Sequence, residues 1–434
     1  MFRTFFNRRS FSSSTVSQQF RHPSFYRHLL PKYGQVLLKK KPERRLLKNP
    51  FVSRYIKISE LMTGVFFIGF LFLFSITDSS VFTQQMNPPV TDATTLPDEL
   101  LTPERVQNSI DGAISYLRQR QKKNGEWEGY PSFEPGTTAL CTLALLTAGL
   151  DKNDPTIMSA LDYLRTFTPE MENQTYPIAV QTMVFCLADP EKDRVRIQKN
   201  VDWLTSRQLH TQNDFDGGWA YVGAFPDRER ADNSNSQFAM LALYEAERIG
   251  IEINPVVWER AEAYWVRMQN DDGSWGYRSS TQNAPGFHSG YGTGSMTCAG
   301  IAALVICHGA RQNGRAFVEN DTIICCQEKE DPIAERIEHG LAWLVKHFSI
   351  RKNPGEDEDL ASDANFYYYL YGLERVGRLT ANRFIGQSDW YREGTDVLLR
   401  RKGAISIYWN AQVDLEMNHS ISTAFVLLFL SKGR

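Results

Sequence analysis

From residue 102 to the C-terminus, stretches with one polar face alternate with stretches that are apolar nearly all round. The amphipathic ones run over 110–121, 157–167, 195–208, 257–269, 333–348 and 390–401. Each is followed by a loop and then by a far more apolar run, at 137–147, 178–187, 236–246, 295–307, 364–373 and 422–430. A helix with one wet face lies on a surface, whereas a helix apolar all round must be enclosed by others. Thr102-Pro103, Asp154-Pro155, Asp189-Pro190, Asn254-Pro255 and Asp331-Pro332 each pair an N-cap residue with proline at the first helical position. Gly149, Gly250, Gly309, Gly377 and Gly433 stand where helix C-caps are expected. Six outer and six inner helices in strict alternation predict an all-α fold, an α6/α6 toroid around a central cavity. An open helical solenoid is the alternative arrangement.

The chain ahead of this body has a different character. Residues 61–77 contain no charge, which is at the short limit for a membrane span of roughly 20 residues. Residues 1–57 hold 14 Lys and Arg against a single acid, Glu43, a local balance of +13 that leaves −15 for the remainder. The expected organisation is a basic tail (1–57), a transmembrane anchor (58–78), a linker rich in Pro, Thr, Gln and Asp (79–101) and the toroid (102–434). The positive-inside rule puts the tail in the cytoplasm and the toroid outside it, periplasmic in a bacterium. Two other readings stay open: a mitochondrial transit segment leading to the inner membrane, or a signal sequence cleaved after Ser75 with release of the body. An acidic body argues against nucleic-acid binding.

Three segments repeat one signature. Tyr116 precedes Gln121, Gly125 and Trp127; Tyr264 precedes Gln269, Gly273 and Trp275; Trp203 precedes Gln208 and, after an insertion, Gly217 and Trp219. The ungapped Gln-x3-Gly-x-Trp segments resemble the QW motifs of squalene and oxidosqualene cyclases. Asn233-Ser234-Asn235-Ser236-Gln237 and Ser422-Thr423-Ala424-Phe425 resemble inner-helix starts of the same terpenoid cyclase and protein prenyltransferase superfamily. The resemblance spans about residues 102 to 434. It implies an α/α toroid in which Gln121, Trp127, Trp219, Gln269 and Trp275 are structural ties between repeats.

The resemblance does not extend to chemistry. Cyclases of this type protonate an alkene with an activated acid in a D-x-D-D motif, and none occurs here. Asp232 and Asp363 are the nearest acids at comparable positions and the candidate catalytic residues. The zinc-binding D-x-C of prenyltransferases and the GCGEQ segment of thioester domains are also absent, so neither metal nor other cofactor is implied. The six cysteines show no CxxC or ligand spacing and read as small buried hydrophobes, although adjacent Cys325 and Cys326 fall in a loop and are oxidisable outside the cytoplasm. Asn235, Gln237, His288, Tyr291, Asn365, Tyr368 and His419 stand near inner-helix starts, where a ligand entering the cavity would meet them. Two functions follow: a membrane-anchored binding or scaffold module with an apolar or isoprenoid ligand, or an isoprenoid-processing enzyme with a non-standard acid.

Overall fold

The computed structural model describes residues 101–130, 133–221, 230–278, 290–312, 317–319, 322–324, 331–355, 365–401, 408–409 and 418–432, without the side chains at 311, 312, 317–319, 322–324 and 432. The predicted anchor, tail and most of the linker lie outside the described residues. No described helix is long and apolar enough to cross a membrane.

The outer layer consists of α1 (Pro103–Arg120), α3 (Pro155–Leu164), α6 (Pro190–Ser206), α8 (Pro255–Met268), α10 (Pro332–His347) and α12 (Trp390–Arg401). The inner layer consists of α2 (Gly136–Thr147), α5 (Thr175–Ala188), α7 (Asn233–Arg248), α9 (Gly294–Gln312), α11 (Phe366–Leu379) and α13 (His419–Lys432). Burial separates the layers: 12 of the 14 residues of α5 are buried, against 5 of the 18 of α1, so only the former needs helices on all sides. Each inner helix packs on the next in chain order, and α13 returns to pack on α2. That last contact closes the ring and excludes the open solenoid.

Local chemistry sets the boundaries. Thr102, Asp154, Asn254 and Asp331 each accept a hydrogen bond from a backbone N–H of the first turn that follows. Asp189 does not; its carboxylate pairs with Lys152 at 3.1 Å instead. Gly149 and Gly250 end their helices with positive φ, as expected. Gly309 and Gly377 lie inside α9 and α11, which run on past the predicted stops. At Gly377 the glycine is needed for packing, because a Cβ would fall 2.4 Å from the Trp390 ring. A short helix α4 (Pro169–Glu172) and two small antiparallel ribbons, β1 (Phe317–Glu319) with β2 (Thr322–Ile324) and β3 (Phe384–Ile385) with β4 (Ser388–Asp389), were not anticipated from periodicity.

The repeat signature forms one joint used several times. The Gln121 amide donates to Gly125 O at 3.0 Å and to Thr156 O, in the first turn of the next outer helix, at 2.9 Å. Gln208 does the same with Gly217 O and Val257 O, and Gln269 with Gly273 O and Arg336 O. The indole N–H of Trp127, Trp219 and Trp275 reaches back to the preceding outer helix, at Leu117 O, Leu204 O and Trp265 O. Their backbone N–H groups donate forward to hydroxyls on the following inner helix, Thr138, Ser236 and Thr297. A fourth tryptophan, Trp409, makes both bonds, to Leu398 O and the Thr423 hydroxyl, although no glutamine precedes it at the motif spacing.

Candidate functional site

A cavity of about 740 Å³ lies within the ring. Five of the six inner helices line it, each through its first two turns: Gly136, Thr137 and Leu140; Tyr176, Pro177 and Val180; Ser234 and Phe238; Asn365 and Tyr368; Ile421 and Phe425. The segments leading into inner helices add Tyr130, Phe133, Tyr221 and Tyr277. No described residue of α9 lines it, because side chains of α7 and α11 meet in front of that helix. There Tyr368 donates to Gln237 Oε1, its hydroxyl stands 3.4 Å from Ser234 Oγ, and the Phe238 ring stacks on Tyr368 and Tyr371 at 6.1 and 6.4 Å. Phe425 closes the same aromatic layer from α13, against Tyr368 and Tyr371. One turn deeper along α11, Arg375 holds the buried Glu374 carboxylate and lies over the Tyr371 ring.

The start of α7 builds the polar side of the cavity, one residue at a time. Asp232 caps the helix: Asn235 donates to it through its backbone N–H and its side-chain amide, both at 2.8 Å. Asn233 accepts from the Tyr264 hydroxyl and holds the turn at 276–277 through bonds to Gly276 O and Tyr277 O. That turn places Tyr277 in the cavity wall, within electrostatic reach of Asp232. Ser234 faces the cavity and bonds the Tyr176 hydroxyl. Ser236 anchors Trp219 and, with it, Tyr221 two residues later. Tyr221 packs beside Tyr176, with ring centroids 5.6 Å apart, and lines the cavity next to Tyr277. The hydroxyls of Tyr176, Ser234 and Tyr368 are thus linked, and Tyr221 and Tyr277 stand beside them on the same side of the cavity, with the Asp232 carboxylate behind.

Burial governs the protonation of this set. Loss of water pushes the Asp232 carboxyl up to about 6, against the opposing pull of Asn235, Arg278 and Tyr277. The hydroxyls of Tyr176, Tyr221, Tyr277 and Tyr368 are raised by burial first, and the nearby Asp232 charge adds to it. All four stay neutral donors at ordinary pH.

The other sequence candidates fall in different places. Asn365 lines the cavity at the start of α11 with a left-handed backbone, φ 53°. Asn235 and Gln237 are buried behind the lining, with Asn235 Oδ1 and Gln237 Nε2 unpaired. Tyr291 is 56% exposed and does not line the cavity. His419 stacks on Tyr408 at 4.6 Å rather than reaching the cavity, and burial with the nearby Arg120 lowers its pKa. His288 and Asp363 lie outside the described residues, as do Cys325 and Cys326. Among the described residues no cluster of His, Cys, Asp or Glu could hold a metal. The main residues missed from sequence are Tyr176, Tyr221 and Tyr277. The last two occur two positions after a repeat tryptophan, a Trp-x-Tyr signal that could have been read.

A wider groove of about 1050 Å³ runs along the outer layer between α1, the β3–β4 ribbon and α12. Its Arg383 and Asp389 pair with each other at 2.9 Å.

No protein-family model matches the chain, and no curated protein matches it. Solved structures do. The type II terpene cyclase MstE from Scytonema in its apo form is similar at a TM-score of 0.47 and 15% identity, over 76% of this chain and 98% of that one. A variant of that cyclase in complex with its substrate, geranylgeranyl dihydroxybenzoate, is similar at 0.47 and 15%, over 76% and 97%. A possible member of the GH105 family from Klebsiella pneumoniae subsp. pneumoniae MGH 78578 is similar at 0.49 and 10%, over 82% and 98%.

Proposed function

We propose that the toroid is a binding module for an apolar chain of isoprenoid type, taken up into the cavity at the inner-helix N-termini. The observation that carries this reading is the cavity itself, about 740 Å³ with aromatic and aliphatic walls. Ligand pockets of this kind run from roughly 300 to 1,000 Å³ and combine apolar walls with a few convergent polar groups. The resemblance of the chain to the terpenoid cyclase and prenyltransferase superfamily supports the same ligand class, although the QW-type joints themselves are structural. In this reading the apolar run at 61–77 holds the module at the membrane that supplies its ligand.

A second reading, isoprenoid processing, draws on Asp232. Its carboxyl is buried and shifted toward neutrality, as a proton donor requires. Two features favour the binding role over it. Both carboxylate oxygens are committed to Asn235, and Asp232 stands behind the tyrosines rather than in the cavity wall. Asp363 is the other candidate acid under this reading.

Extraction of the purified full chain with organic solvent, followed by mass spectrometry, tests the module. An apolar molecule should copurify with the native chain and be depleted from Val180→Trp, which fills the cavity. Equal recovery from both proteins, each shown folded by circular dichroism, would sink the proposal. Incubation with geranylgeraniol or squalene separates the two readings. Unchanged recovery supports binding, whereas a cyclised product lost in Asp232→Asn would establish the enzyme.

A further inference from the structure

If the cavity binds an apolar chain, its polar side constrains the end of that chain, and the following inference rests on that reading. Five hydroxyls, from Tyr176, Tyr221, Ser234, Tyr277 and Tyr368, converge on the cavity from α5, α7, α11 and the two segments that follow Trp219 and Trp275. The remaining lining is mainly apolar, with Leu140, Val180, Phe238 and Phe425 among it and further polar groups only from Tyr130, Thr137 and Asn365. A plain hydrocarbon filling this space would offer no partner to the donor and acceptor sites that the hydroxyls do not use among themselves. A buried hydrogen-bonding group left unpaired costs about 1–3 kcal/mol, roughly 5- to 150-fold in affinity.

A diphosphate end fits poorly for a different reason. No Lys, Arg or His is among the described lining residues. A negative charge bears on the whole hydroxyl cluster, since Asp232 acts electrostatically on Tyr176, Tyr221, Tyr277 and Tyr368. Arg278 is close by, over the Tyr277 ring at 5.6 Å, but it is not among the residues that line the cavity. Asp232 also caps α7, which removes the attraction that helix terminus would offer an anion. An anion placed there would be desolvated beside a carboxylate with no cation of its own.

We infer that the cavity selects a neutral chain ending in an alcohol or phenol, whose oxygen joins the Tyr176–Tyr221–Tyr277 hydroxyl set while the chain lies against Phe238, Phe425, Leu140 and Val180. A hydroxyl both donates and accepts, so it can enter a chain of hydroxyls without leaving a member unpaired. Asp232 polarises the set from behind through its charge.

Displacement of N-phenylnaphthylamine from the purified full chain tests this with three ligands of one chain length: geranylgeraniol, geranylgeranyl diphosphate and phytane. Geranylgeraniol should bind at least about tenfold more tightly than either of the others. In Tyr176→Phe, with Tyr277→Phe as a second variant should the first not fold, that preference over phytane should shrink to about threefold or less. Equal binding of all three ligands, or tightest binding of the diphosphate, would overturn the inference and leave the binding module standing. An unaltered preference in a folded Tyr176→Phe would also overturn it. Failure of all three to displace the probe from the folded native chain would remove the binding module itself.

Discussion

Gly125 lies so close to Ser159 that a Cβ built on it falls 2.1 Å from the Ser159 carbonyl oxygen, and its φ is +90°. The same approach recurs at Gly217 against Arg260 O, 2.1 Å, and at Gly273 against His339 O, 2.6 Å. The glycine of each repeat signature is thus where one outer helix's exit loop rests on the backbone of the next outer helix. Gly149 has a similar φ, +100°, but nothing within 4 Å of its Cβ position. Gly149→Ala should therefore cost only the left-handed penalty, about 1–2 kcal/mol. Gly125→Ala should cost about 1–3 kcal/mol more, since backbone must move. Urea denaturation of the two variants decides it; equal losses would mean that the loop yields freely.

Ser236 makes a second, independent test of the joint. Its hydroxyl accepts from the Trp219 backbone N–H at 2.9 Å and donates to Asp232 O at 2.8 Å. Ser236→Ala would leave a fully buried N–H without a partner and is expected to cost about 1–3 kcal/mol. Thr142 offers the contrast: its hydroxyl only back-bonds the Thr138 carbonyl within α2. Thr142→Ser keeps that hydroxyl and should cost only the lost methyl, about 1 kcal/mol. The order of the two midpoints in urea is the readout, and a smaller loss for Ser236→Ala would count against a pinned tryptophan.

Much of this ring was legible because its repeats are marked locally. Proline-bearing caps place five outer helices, and the Gln-Gly-Trp spacing places three joints. Where the marks failed, a tertiary contact had replaced a local one. Asp189 gives its carboxylate to Lys152 instead of to its own helix, and Gly377 is kept small by Trp390 rather than by a turn. Trp409 went unread because its joint keeps the two tryptophan bonds without the glutamine. The cavity was harder still. Tyr176, Tyr221, Tyr277 and Tyr368 come from four separate segments, and only closure of the ring brings their hydroxyls together. Asp232 was legible as an acid at a helix start; that it faces tyrosines depended on Asn233 holding the 276–277 turn.

The outer layer has one charged tie that can be broken cleanly. Arg165, the C-cap residue of α3, donates from Nε and Nη2 to the fully buried Asp193 carboxylate on α6, at 3.0 and 2.8 Å, and Arg196 adds a third contact at 3.1 Å. Arg165→Met should cost about 3 kcal/mol, the low end of the usual range for stranding a buried charge because Arg196 remains. The double variant Arg165→Met with Asp193→Leu should recover most of that loss. If the single variant costs under about 1 kcal/mol, the pair behaves as a surface bridge instead.

Asp232 makes the stability of the toroid depend on pH in a defined direction. Its carboxyl titrates near 3.8 when unfolded and is pushed up to about 6 in the folded chain, chiefly by burial. Between those values the folded protein holds a proton that the unfolded chain has released, so this group's contribution falls as pH rises through that window. Below about pH 4 both states are protonated and the penalty is absent; above about pH 6 it is complete, on the order of 3 kcal/mol. Asp232→Asn removes the titration while keeping an oxygen to cap α7, and Asn235 can turn its unpaired Oδ1 toward the new amide. Relative to the native chain, the variant should therefore gain stability from about pH 4 to about pH 7.5. Urea midpoints of both proteins across that range measure it. A stability difference that stays flat, or falls as pH rises, would mean that the folded carboxyl is held ionised by Asn235, Tyr277 and Arg278, with burial the lesser influence.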